Sequence, residues 1–214
     1  MNKLSLLDLG FFIAESQASP KHVGALLICK RPPKAAAGFV RKLYKELLTF
    51  TDVEAPFNRV INFSLGAMPA WQTCDTMDLQ QHIFYHKLAA GKNGRAELYR
   101  LVADLHTPML DRSRPLWEFH VIDGISEGRF AVYQKMHHAC ADGVTMVRWT
   151  AEGLAESPAD TGLRPAWTLK HIRGAGHRAR MKQEMLQAAW KAAATTGRHF
   201  LGIGRLAAML LLEA

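Results

Sequence analysis

Apolar residues mark the chain into short alternating runs and longer amphipathic ones. Ser5 is placed to cap a helix running to about Glu15, with Asp8 in capping-box position and Ser19-Pro20 as the break. His22 to Cys29 has strand character and closes at Lys30-Arg31-Pro32-Pro33. From Ala35 to Phe50, Phe39, Val40, Leu43, Tyr44, Leu47 and Leu48 recur at helical spacing between basic residues. A weak strand is expected over 58–65, a turn at Met68 to Trp71, a strand at His82 to His86, and a loop around 91–94. A helix follows over 96–106, with Leu98, Leu101, Val102 and Leu105 on one face.

Strands at 117–122 and 129–136 are expected to form a hairpin across a loop of about six residues, with turn chemistry at Asp123-Gly124 and Glu127-Gly128. Its second arm delivers His137 and His138, followed by Asp142, Gly143 and a helix to about Ala155. The reading is strand, tight turn, helix, with the His/Asp group at the turn. Ser157 to Pro165 then reads as a linker, and no internal repeat is visible.

Composition narrows the classes. The chain has 214 residues, of which 49% are hydrophobic and 21% charged, enough for a real core. Its net charge of +8 suits an anionic partner: nucleic acid, a phosphorylated cofactor or an anionic membrane. The basic residues form no interleaved aromatic platform, which argues against nucleic acid. Cys29, Cys74 and Cys140 include no CxxC pair, so neither a disulfide framework nor a structural zinc site is expected, and a reducing cytosol fits. Leu4 to Ala14 is interrupted by Asp8 and reads as an amphipathic first helix, not a signal peptide. No stretch reaches the roughly 20 apolar residues that span a bilayer.

The His/Asp turn can support acyl transfer to a hydroxyl. Histidine, with an unperturbed pKa of about 6.5, can take the hydroxyl proton and return it to the leaving group. No G-x-S-x-G nucleophile elbow is present, and none is needed if the acyl donor is already a thioester. Cys140 reads as a small packing residue rather than a nucleophile. Asp142 either bonds the imidazole or fixes the loop by pairing with an arginine. Gly143 offers a close approach or a backbone N–H for an oxyanion. Adjacent strand residues face opposite ways, so one of His137 and His138 faces the cleft and the pair does not share a metal.

His137-His138-Ala139-Cys140-Ala141-Asp142-Gly143 resembles the HHxxxDG motif of the bacterial wax ester synthase/diacylglycerol acyltransferase family, within the CoA-dependent acyltransferase superfamily. Pro115-Leu116-Trp117-Glu118 resembles that family's PLW motif, and Leu4 to Asp8, Glu15 and His22-Val23-Gly24 resemble its opening. The resemblance covers about residues 1–165. It implies an α/β fold of the chloramphenicol-acetyltransferase-like or condensation-domain-like kind, a mixed, mainly antiparallel sheet flanked by helices.

It also implies an acyl-CoA-dependent O-acyltransferase, with acyl-CoA a substrate and no cofactor, acting on a fatty alcohol or diacylglycerol. His138 would be the general base, His137 supporting and Asp142 largely structural. Gly143 would keep the tunnel floor open. Pro115, Leu116 and Trp117 would shape the acyl or alcohol channel, with core packing the other reading of Trp117. Family members are about twice this long. Residues 1–165 would be their N-terminal domain, and 166–214 a basic helical segment facing a membrane or partner. The other half, as a second domain or chain, would complete the tunnel. The expected place is cytoplasmic, on the inner membrane or lipid inclusions. Two other readings stand beside this one: a condensation- or chloramphenicol-acetyltransferase-like enzyme with another acceptor, and a non-catalytic lipid-binding relative.

Overall fold

The computed structural model describes residues 2–63, 69–89, 94–157, 160 and 162–170. The basic segment past Lys170, with its apolar end, lies outside the described residues, as do most of the loop at 91–94 and Met68.

Four strands form the main sheet: β2 (His22–Lys30), β5 (Ile83–Lys87), β6 (Trp117–Ile125) and β7 (Arg129–His137). Their order is β2-β7-β6-β5, antiparallel except for the parallel β5–β6 pair. A second, antiparallel sheet joins β1 (Asn2–Lys3), β4 (Ala70–Thr73) and β3 (Arg59–Asn62) in the order β1-β4-β3. Among the described residues four α-helices accompany them: α1 (Leu6–Ala14), α2 (Phe39–Leu47), α3 (Gly94–His106) and α4 (Gly143–Gly153).

Strand alternation gives the main sheet two faces. Phe130 and Met136 of β7, Trp117 and Val121 of β6 and Ile83 of β5 share one face, packed with Val40 and Leu47 of α2 and with Phe57, Trp149 and Trp167. Ala131, Tyr133 and Ile122 share the other, under Leu98, Leu101, Val102 and Leu105 of α3. The apolar positions expected for the two helices are those that meet the sheet. This is the mixed α/β fold expected, a mainly antiparallel sheet flanked by helices.

Local chemistry sets the boundaries. Ser5 and Asp8 form the expected capping box of α1, Oγ of Ser5 accepting the Asp8 amide at 3.1 Å. The helix expected over 35–50 shortens to α2, because Gly38 lies in the left-handed region (φ 83°) immediately before it. Ala70 and Trp71, expected in a turn, belong to β4 and are buried. A strand of four residues, two apolar and then two polar, gives little periodic signal.

The hairpin is tighter than expected. Its first arm runs further, to Ile125, while the second begins at Arg129 as expected, and Ser126, Glu127 and Gly128 are left as the loop. Asp123-Gly124 is no turn; it sits at an irregularity of register between Ile122 and Ile125. Gly124 is required there. Its φ is +92°, and a Cβ would come within 2.6 Å of the Leu88 carbonyl oxygen.

Candidate active site

The hairpin register decides where the histidines fall. Trp117 lies opposite Met136, and His22 opposite His137. At its end, β7 is clamped from both sides. The His137 amide donates to the Leu116 carbonyl at 3.0 Å, and the His138 amide to the Lys21 carbonyl at 2.9 Å. The chain then turns: the Cys140 amide donates to the His137 carbonyl at 2.8 Å. Asp142 caps α4, its Oδ1 accepting the Thr145 amide at 2.7 Å. The loop-fixing part of Asp142 is therefore played as a helix cap.

The two histidines have different surroundings. His137 is 1% exposed and stacks on Phe12, with centroids 4.4 Å apart. Its Nδ1 accepts the Ala139 amide at 3.1 Å, which puts the proton of the neutral ring on Nε2. Burial holds its pKa down, to about 4, against the pull of nearby Glu15. His138 is half-buried and stacks on Phe11 at 5.1 Å, nearly parallel. Burial, and to a smaller extent Lys21, lower its pKa too, and Asp142 works the other way. A half-exposed ring that is neutral at pH 7 can accept a proton, whereas a sealed ring with its acceptor nitrogen occupied cannot.

Gly143 begins α4. A Cβ there would meet only Val23 Cγ2, at the ordinary distance of 3.7 Å. No crowding within the described residues demands glycine. Cys140 is buried in the core beside the turn.

Pro115, Leu116 and Trp117 are buried behind the histidines. Leu116 supplies the carbonyl that ends β7. Trp117 stacks on His82 at 4.5 Å and on Trp167 at 5.5 Å, and its Nε1 donates to the Phe57 carbonyl at 2.8 Å. Its ring also borders a narrow apolar crevice with Met136, Met146 and Trp149. In this chain Trp117 is a core residue with a satisfied indole N–H.

Glu15 and Arg112 complete the surroundings, and the sequence pattern gave them no role. The Glu15 side chain is 1% exposed; its Oε2 lies 2.8 Å from Arg112 Nη2 and 3.4 Å from His137 Nε2. Burial alone would raise the Glu15 pKa. Arg112, the Lys21 amide and His137 together outweigh it, so the carboxyl titrates below its usual range. In sequence Glu15 shows only as the residue that closes an apolar helix and as part of the resemblance at the chain's opening, and neither points to a buried carboxylate. Among the described residues no group of three His, Cys, Asp or Glu side chains could hold a metal ion, and no helix is long and apolar enough to cross a membrane.

The profile of the wax ester synthase/diacylglycerol acyltransferase catalytic domain matches residues 4–214. A Mycobacterium tuberculosis protein carrying a diacylglycerol O-acyltransferase name is 40% identical over 167 residues, which are 77% of this chain and 37% of that relative. A second from the same species is 39% identical over 166 residues, 36% of its length. The chain thus spans little more than a third of the curated relatives it matches. The structure of a wax ester synthase/diacylglycerol acyltransferase from Marinobacter aquaeolei VT8 superposes with a TM-score of 0.75 at 33% identity, covering 90% of this chain and 47% of that one. The first condensation domain of the calcium-dependent antibiotic synthetase shares the fold at 17% identity, TM-score 0.53, over 75% of this chain and 41% of its own.

Proposed function

Because this chain belongs to the wax ester synthase/diacylglycerol acyltransferase family, we propose that it carries the base-bearing half of an acyl-CoA-dependent O-acyltransferase. The acceptor is a long-chain fatty alcohol, giving a wax ester, or a diacylglycerol, giving a triacylglycerol. One observation carries the reading: of two adjacent histidines, both neutral at pH 7, only His138 is half-buried rather than sealed, and it is held by stacking on Phe11.

His138 takes the acceptor hydroxyl proton as the oxygen attacks the thioester carbonyl. The tetrahedral intermediate collapses, the C–S bond breaks, and the same imidazole returns the proton to the departing CoA thiolate. His137 stays neutral and sealed, and supports the turn. Asp142 anchors the helix that follows, and Gly143 leaves volume for substrate. Pro115, Leu116 and Trp117 shape the channel from behind, by fixing the strand that bears the base. A further domain or chain, corresponding to the part of the relatives not matched here, closes the tunnel. The lipophilic acceptor places the reaction at the cytoplasmic face of the inner membrane or on lipid inclusions.

The test is ester formation from palmitoyl-CoA with hexadecanol or a diacylglycerol, read by mass spectrometry, in wild type and His138→Ala. Loss of about 10²–10⁴-fold in the variant is expected, the usual contribution of a general base. Turnover unchanged by the substitution removes His138 from the mechanism. Thiol release only with small amine acceptors would falsify the wax ester and triacylglycerol assignment.

A further inference from the structure

Glu15 is the C-cap residue of α1, and its buried carboxylate gathers four parts of the chain. Oε1 accepts the Lys21 amide at 2.9 Å, at the entrance to β2. Oε2 meets Arg112 from the segment that leads into β6, and stands beside the His137 ring. The same guanidinium donates to the Phe12 carbonyl at 3.2 Å and lies 5.2 Å from the Phe12 ring centroid. Lys21 in turn accepts the His138 amide. Phe12 and Phe11, on the same helix, stack on His137 and His138 in that order.

Both constraints on His138 therefore lead back to one side chain. Its backbone hangs from Lys21, which Glu15 holds by the amide. Its ring lies on Phe11, on the helix that Glu15 and Arg112 tie down. A carboxylate taken out of water is costly unless its partners stay, so these contacts form and fail together.

We infer that Glu15 is a positioning residue for His138: with Arg112 it fixes α1 and Lys21 against the turn, and so sets the aim of the His138 imidazole. The inference rests on the proposed acyl transfer for its kinetic consequence only. Arg112 is the counter-ion that lets the carboxylate remain charged inside the protein.

The resonances are read on the 214-residue chain with ¹⁵N-labelled histidine, and turnover on that chain together with the remaining half of the enzyme. The His138 ring resonances feel the ring current of Phe11. Glu15→Gln keeps the size of the side chain and removes its charge. We expect the His138 signals to move toward those of an unstacked imidazole. We expect kcat for ester formation to fall about 10- to 100-fold, with KM for acyl-CoA within about twofold, since small misplacement of a reacting group costs on that scale. Glu15→Asp, which keeps the charge and shortens the reach, should shift the same signals less. If Glu15→Gln does not fold, the Asp variant alone decides. His138 signals unmoved in a folded variant overturn the inference, even where melting temperature drops. Absence of ester formation by the wild type in the presence of that remaining half would instead count against the proposed function, and the resonances would still decide the role of Glu15.

Discussion

Asp142 Oδ1 accepts the Thr145 amide at 2.7 Å, so the acid of the histidine motif is the N-cap of the helix that follows. Asparagine caps as well as aspartate, and alanine does not. Asp142→Asn should therefore melt within a degree or two of wild type, while Asp142→Ala loses about 1 kcal/mol by denaturant unfolding. If the two variants lose stability equally, the charge matters more than the cap.

The two glycines near the hairpin should behave oppositely. Gly143→Ala meets ordinary contact distance only, and should leave thermal stability unchanged or slightly raised. Any fall in ester formation in that variant then reports on space taken from the substrate. Gly124→Ala places a Cβ 2.6 Å from the Leu88 carbonyl oxygen at a positive φ, and should cost on the order of 2 kcal/mol or more by chemical denaturation.

Trp117→Phe separates a core residue from a channel wall. The indole N–H bond to the Phe57 carbonyl is buried, and a phenylalanine ring cannot make it. A destabilisation of about 1–3 kcal/mol is expected, with acyl-chain preference unchanged. A shift in chain-length preference at unchanged stability would make Trp117 a wall.

Acid should weaken the fold through its buried histidines. His137 and His22, 1% and 9% exposed, both have pKa values pushed down to about 4, in each case chiefly by burial. Above about pH 6.5 the rings are neutral whether folded or not, and they contribute no slope. Between pH 6.5 and 4 the unfolded chain binds protons that the folded one excludes. Stability then falls by up to about 1.4 kcal/mol per pH unit for each such ring. Unfolding midpoints measured from pH 8 to 4 should be flat and then drop, and His22→Gln should reduce the slope. A flat profile down to pH 4 contradicts the burial of these rings.

Much of this architecture is local and was legible in the chain. The capping box at Ser5 and Asp8, the hairpin arms and the turn after His138 each depend on residues a few positions apart. What escaped depends on distance. Lys135, in the middle of β7, looks like a solvent-facing position. It is 1% exposed, because α3 covers that face and carbonyls at and just past the end of that helix receive the ammonium: Lys135 Nζ donates to Leu105 and Pro108 at 2.9 and 2.5 Å. Glu15 and Arg112 are 97 residues apart and meet only because the sheet brings α1 beside the segment before β6. Periodicity cannot express either contact.

The register of β6 against β7 has an evolutionary corollary. An insertion or deletion of one residue inside either arm reverses the parity of everything beyond it, and would exchange the sealed histidine for the half-exposed one. Length changes confined to Ser126, Glu127 and Gly128 leave that parity intact. Genetic drift in length should accordingly collect at the hairpin tip, where an added residue leaves the aim of both histidines untouched.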